Sequence, residues 1–247
     1  MNNESTNSTR LKGCRSSMPS PRPMYRTGIL NWSEMPMTTP PFAVPSNLVT
    51  AMLVTSVAAV ITFDTGLPQD IINYLLATYG NVTPIFADSV STTYAQKLVD
   101  NLQGVYTLKP NLLEAQILSG MEIKTFADLE KAAQTIIAKG AKRVFISLGR
   151  DGVYYADAEG VTRHRRCKPM EQIANATGAG DSFLGAMLYS HVNDFDLEQT
   201  LETAMTVSML TIQSDNTINP QMSESFMRDN LALATEDTSV NSQDITF

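Results

Sequence analysis

Cysteine is nearly absent from this chain of 247 residues. Only Cys14 and Cys167 occur, too few for a disulfide framework or a set of thiolate zinc ligands, so a reducing, cytoplasmic setting is expected. Positive charge is also in deficit, with 18 Lys and Arg against 25 Asp and Glu and a formal net charge of −7. Such a chain lacks the electrostatic footprint of a nucleic-acid backbone binder. No apolar run reaches the about 20 residues of a membrane span. The nearest, LVTAMLVTSVAAVITF at 48–63, is interrupted by Thr50, Thr55, Ser56 and Thr62, and a buried helical turn leading into a buried parallel strand accounts for it better. Neither nucleic acid nor membrane is expected as a partner. The string G-x-x-x-x-G-K-[ST] of a P-loop is missing, and the glycine pair Gly178 and Gly180 is followed by Phe183 where a dinucleotide fingerprint needs a third glycine.

What is present suits one large domain: 43% of the residues are apolar and 17% charged. The charge is uneven. Residues 1–33 hold Arg10, Lys12, Arg15, Arg22 and Arg26 against the single acid Glu4, so a basic tail precedes an acidic body. Residues 1–45 contain most of the prolines and form no convincing element, so they read as irregular or disordered. A mitochondrial leader is the alternative reading, but Pro19, Pro21 and Pro23 would break its amphipathic helix.

From residue 57 strand-like and helix-like stretches alternate, as in an α/β sheet. Strands are expected at 57–63, 82–87, 105–108 and 143–148, with helices at 68–79, 91–102, 112–118 and 126–139 between them. Turns at 149–152 and 157–160 then define a hairpin with strands at 153–156 and 161–166. Helical spacing returns at 179–191, 196–213 and 223–234, and the polar residues 235–247 read as a disordered tail. A domain over 46–234 is therefore expected between two unstructured ends.

Three constellations carry chemistry. In Ala176-Thr177-Gly178-Ala179-Gly180-Asp181-Ser182 a small-residue turn opens into an apolar helix. Successive backbone N–H groups there can hold phosphate against the positive end of the helix dipole. Asp181 faces the same place, where a carboxylate suits a base that takes a proton from an incoming hydroxyl; a plain helix cap is the competing account. In Lys109-Pro110-Asn111-Leu112-Leu113-Glu114, Asn111 and Glu114 have the spacing of a capping box, which also suits magnesium held through water beside nucleotide phosphates. Ile146-Ser147-Leu148-Gly149-Arg150-Asp151-Gly152 is a strand with a glycine-flanked turn. The basic run Arg163, His164, Arg165, Arg166 and Lys168 reads as a solvated strand edge, with phosphate contact as the alternative. His164 and His191 read as surface or packing residues.

Together, in this order, the three constellations resemble the ribokinase (pfkB) family of ATP-dependent sugar and nucleoside kinases, and 57–233 is similar in particular to its pseudouridine kinase branch. The resemblance implies a three-layer α/β/α ribokinase-like fold and transfer of the ATP γ-phosphoryl group to a sugar or nucleoside hydroxyl. It implies Asp181 as the base, with Gly178, Ala179 and Gly180 as the anion hole. Asn111 and Glu114 would organise phosphate and magnesium, with Glu114 on the metal side. Ser147, Gly149 and Gly152 would lie beside ATP, Asn219 near the adenine, and Asp88 loosely facing the reaction centre. A monovalent cation and a homodimer are further expectations. Two departures from the family pattern stand out. Asn175 and Ala176 occupy the start of the closing signature, where an Asp is usual, which weakens the expected potassium site. Residues 1–56 carry neither the Gly-Gly sugar motif nor the β lid of the family, so an N-terminally truncated fold is expected. The alternative function is then a catalytically deficient nucleotide-binding or interaction protein.

Overall fold

Among the described residues six strands pair in the order in which the chain makes them, β1-β2-β3-β4-β5-β6. The computed structural model describes residues 59–167, 169–170, 173–237 and 241–247. The first four strands, β1 (Ile61–Asp64), β2 (Ile85–Asp88), β3 (Thr107–Lys109) and β4 (Arg143–Ser147), run parallel. Next, β5 (Val153–Asp157) and β6 (Thr162–Arg165) turn back as an antiparallel hairpin. Parallel strands need crossover connections, and helices supply them. The crossovers are α1 (Gln69–Tyr79), the short α2 (Thr92–Ala95), and α3 (Leu112–Ser119) with α4 (Phe126–Ala138).

Alternate strand residues feed two separate cores. Ile61, Phe63, Ile85, Ala87, Leu108, Val144 and Ile146 pack with the buried faces of α1, α3 and α4. From the other face of the sheet, Phe86, Phe145, Val153 and Tyr155 pack against α5 (Ala179–Val192) and α6 (Leu197–Ile212). This is the expected three-layer α/β/α arrangement. Burial on both faces explains why the parallel strands are apolar runs rather than alternating ones.

Local chemistry fixes the helix starts. Asn111, Thr125 and Asp196 each form a capping box with the residue three positions on, and Ser91 and Ser223 cap α2 and α7 (Glu224–Asp229).

Several expectations are corrected. The 57–63 strand is β1, beginning at Ile61, and residues 57–58 lie outside the described part. The helix expected over 91–102 is α2 followed by a 3-10 turn, Gln96–Leu98; two threonines in its first turn favour helix weakly. The one expected over 223–234 divides at Asn230, whose side-chain amide donates to Phe226 O, the carbonyl that a continuing helix would use. The tail is not a polar loose end. Cys167 bridges Glu236, Thr125 bridges Thr246, Phe247 N–H donates to Lys124 O and Ile245 is buried. Ile245 and Phe247 flank Thr246 and give this segment an apolar side to dock. The irregular segment expected at 1–45 lies outside the described residues. Among those described, no helix is long and apolar enough to cross a membrane.

Candidate active site

The parallel strands end together, and their last residues are polar. Register pairs Asp88, closing β2, with Lys109, closing β3. Lys109 Nζ lies 3.0 Å from Asp88 Oδ2, with both side chains 8% exposed. A charge at the end of a buried strand needs such a partner, because an isolated one would bear the full cost of leaving water. The second carboxylate oxygen, Asp88 Oδ1, accepts from Val90 N–H at 3.0 Å. That bond holds Val90 at φ 58, a left-handed conformation that β-branched residues rarely adopt.

Two residues past Lys109, Asn111 and Glu114 form both halves of their capping box. Glu114 N–H donates to Asn111 Oδ1 at 2.9 Å, and Asn111 N–H donates to Glu114 Oε2 at 2.9 Å. Asn111 Nδ2 donates to Oε1 at 2.7 Å, while Ser89 Oγ donates to Oε2 at 2.7 Å. Glu114 is 2% exposed. Three donors therefore occupy its two oxygens, which leaves little room for direct ligation of a metal and suits contact through water. Among the described residues no group of three His, Cys, Asp or Glu could hold a metal ion.

Ser147, at the end of β4, lies beside Asn111 in a parallel bridge, with Ser147 N–H donating to Pro110 O at 2.9 Å. The following turn carries Gly149 at φ 62 in open space and Gly152 at φ 91. A Cβ on Gly152 would collide with Arg165 O, so this glycine is required by the packing of the turn on β6.

Over the same edge stands the start of α5. Gly178 takes φ 84 and ψ −7, and a Cβ there would run into Thr217 O. The amides of Gly180 and Asp181 open the helix, where no intrahelical acceptor exists for them. A Cβ on Gly180 would lie 3.2 Å from Lys109 Nζ, so the helix start and the buried ammonium share one small space. Asp181 is exposed in the first turn.

The fold thus gathers Asp88, Lys109, Asn111, Glu114, Ser147 and Gly180 at one sheet edge. Asn219 bonds to its own chain. Its Nδ2 donates to Leu210 O at 2.8 Å and its Oδ1 accepts from Gln221 N–H at 3.0 Å, with the residue 9% exposed. Asn175 Oδ1 accepts from Thr177 N–H at 2.9 Å. The basic run is not a solvated edge: Arg163 pairs with Glu198 and Glu236, Arg165 with Glu198, and Arg166 with Asp151. His191 packs on Phe86 and Tyr106. Sequence reasoning assigned no role to Lys109 or Ser89. The available signal was a lysine closing a strand buried on both faces.

The family model of pfkB carbohydrate kinases matches residues 31–224. Pseudouridine kinase of Escherichia coli K12 is 32% identical over 167 residues, covering 67% of this chain and 52% of that protein. The 1-phosphofructokinase of the same strain is 30% identical over 126 residues, half of this chain and 40% of its own length. The chain thus spans about half the length, or less, of these curated relatives. Among solved structures, a sugar kinase of Clostridium perfringens superposes with a TM-score of 0.70 at 32% identity, covering 74% of this chain and 57% of that one. Ribokinase of Arabidopsis thaliana complexed with ribose and ATP superposes at 0.63 and 24% identity, over 70% of this chain and 56% of that one, a likeness of fold.

Proposed function

Because this chain belongs to the pfkB family of carbohydrate kinases, we propose that it transfers the γ-phosphoryl group of ATP to a hydroxyl of a sugar or nucleoside, with pseudouridine as the preferred acceptor. The observation that carries this reading is the space between Gly180 and Lys109 Nζ, which a single Cβ would crowd. A helix start and a buried ammonium converging on one point form a cradle for a dense anionic group.

In this reading the transferring phosphoryl sits on the amides at the start of α5, and Lys109 faces the charge that spreads over its oxygens. Asp88 keeps that ammonium in place, and Val90 N–H holds the other carboxylate oxygen. Asp181, exposed beside the same amides, takes the acceptor hydroxyl's proton as the new O–P bond forms and the bond to ADP breaks. Asn111, Ser147 and the turn at Gly149 line the side from which the nucleotide enters. Magnesium brought with ATP would neutralise phosphate charge, and Glu114 would meet it through water. Positioning and charge stabilisation supply most of the acceleration in such transfers.

Pseudouridine is supported by the 32% identity to a pseudouridine kinase and by the segments around Asp64, Asp88 and the 214–220 loop that resemble that branch. The test is incubation with Mg–ATP and pseudouridine, ribose, adenosine or fructose 6-phosphate, beside a thermal-shift titration with Mg–ATP. Stabilisation by ATP and transfer fastest to pseudouridine are expected. A clear preference for another acceptor overturns the acceptor assignment. A flat titration up to millimolar ATP overturns nucleotide binding, and binding without transfer to any acceptor identifies a nucleotide-binding protein instead.

A further inference from the structure

A histidine on the outermost described strand should face water, yet His164 on β6 has both ring nitrogens engaged. Nε2 lies 2.7 Å from Asp151 O and Nδ1 lies 2.7 Å from Ser242 Oγ, and the ring packs 5.1 Å from that of Phe126. A carbonyl oxygen can only accept, so Nε2 carries the hydrogen and Nδ1 accepts the Ser242 hydroxyl proton. The result is a directed path, Ser242 O–H to imidazole to Asp151 carbonyl.

Its two ends belong to different parts of the molecule. Asp151 closes the 3-10 turn Gly149–Asp151, the segment read above as lying beside ATP. Arg166 Nη2 gives that turn a second hold at 3.5 Å from Asp151 Oδ1. Ser242 opens the 3-10 turn Ser242–Asp244 in the carboxyl-terminal segment. That segment is itself fixed by buried Ile245, by the Thr125–Thr246 bridge and by the bond from Phe247 N–H to Lys124 O.

We propose that His164 is a positioning residue that couples the carboxyl-terminal segment to the nucleotide-side turn, so that residues 241–247 set the affinity for ATP from outside the site. The proposal rests on reading the turn at 149–152 as nucleotide-binding. A histidine with a packing role alone would report to the core. This one links two turns far apart in the chain, and neither bond serves the sheet.

The test uses the full chain with His164→Ala, His164→Gln and Ser242→Ala, measuring the dissociation constant of Mg–ATP by calorimetry and hydrogen exchange at the amides of 149–152. His164→Ala is expected to weaken ATP about tenfold and speed exchange in the turn, and Ser242→Ala to do so by about threefold. His164→Gln should recover much of the loss, because its amide can still donate to Asp151 O. Lower thermal stability with an unchanged dissociation constant in His164→Ala and Ser242→Ala overturns the coupling while leaving the nucleotide reading intact. If His164→Ala does not fold, Ser242→Ala alone decides. A wild type that binds no ATP overturns the nucleotide reading and this coupling with it.

Discussion

A methyl group on Gly180 would stand 3.2 Å from the ammonium nitrogen of Lys109, which is already fixed 3.0 Å from Asp88. The contact is tight but sits at the end of a side chain, so bulk at 180 displaces the ammonium before it disturbs the backbone. Gly180→Val is expected to weaken Mg–ATP by at least about tenfold while the protein remains folded. Calorimetric titration beside a melting curve separates the two effects.

Removing the ammonium instead strands a buried carboxylate. Lys109→Met should cost about 3–5 kcal/mol of stability, because Asp88 is left charged and unpaired. Adding Asp88→Asn should recover most of that loss without restoring ATP affinity. A double-mutant cycle in urea denaturation measures the coupling directly; additive losses would show that the pair is not an energetic unit.

Asp181 has the opposite profile. Being exposed at the first turn of α5, it contributes little to packing, so Asp181→Asn should fold normally. ATP should bind equally well or slightly better, since one negative charge near the phosphates is gone. Phosphoryl transfer should fall about 10²-fold or more. Loss of ATP binding in a folded Asp181→Asn protein would make this residue a ligand anchor rather than a base.

Glu114 accepts from three donors, Ser89 Oγ, Asn111 N–H and Asn111 Nδ2. Glu114→Gln replaces one acceptor oxygen by an amide donor, which leaves a buried donor without a partner. A loss of about 1–3 kcal/mol is expected, read from chemical denaturation, and slower transfer at limiting magnesium should accompany it.

Acid should destabilise the fold in a definite window. His164 and His191 both lie below the ordinary imidazole value of 6.5, first because burial disfavours the charged ring. For His164 the pull of Asp151 opposes repulsion by Arg166 and Arg163; for His191 Asp194 opposes Arg143. Unfolded, both rings gain protons near 6.5; folded, only at lower pH. Their contribution is therefore complete above about 6.5 and lost as pH falls toward the folded values. Melting temperature should drop between pH 7.5 and 5.5, less steeply in His191→Gln. Parallel slopes in the two proteins would exclude His191 as a source.

The order of strands and helices was legible because each signal is local. Asn111 announces its helix within three residues, and Gly149 with Gly152 announces the hairpin. Asn111, Glu114 and the glycines of α5 were legible as a motif for the same reason. Lys109 with Asp88 was not, since only parallel register brings the ends of β2 and β3 together. Nothing local reveals that Leu210 O would claim the Asn219 amide, a contact between residues nine apart. The tail misled through its polar composition, when two apolar residues beside Thr246 were enough to dock it.

Strand order that follows chain order has a bearing on synthesis. Every strand of the described sheet pairs with the one made just before it, so the sheet can form progressively as the chain leaves the ribosome, without waiting for a distant segment. Gly180 arrives only after Arg165 has closed β6, and Ser242 later still. The site proposed above for a nucleotide is therefore the last part of the described fold to be completed, and a nascent chain arrested just after the hairpin would own a finished sheet without the helix start that completes that site.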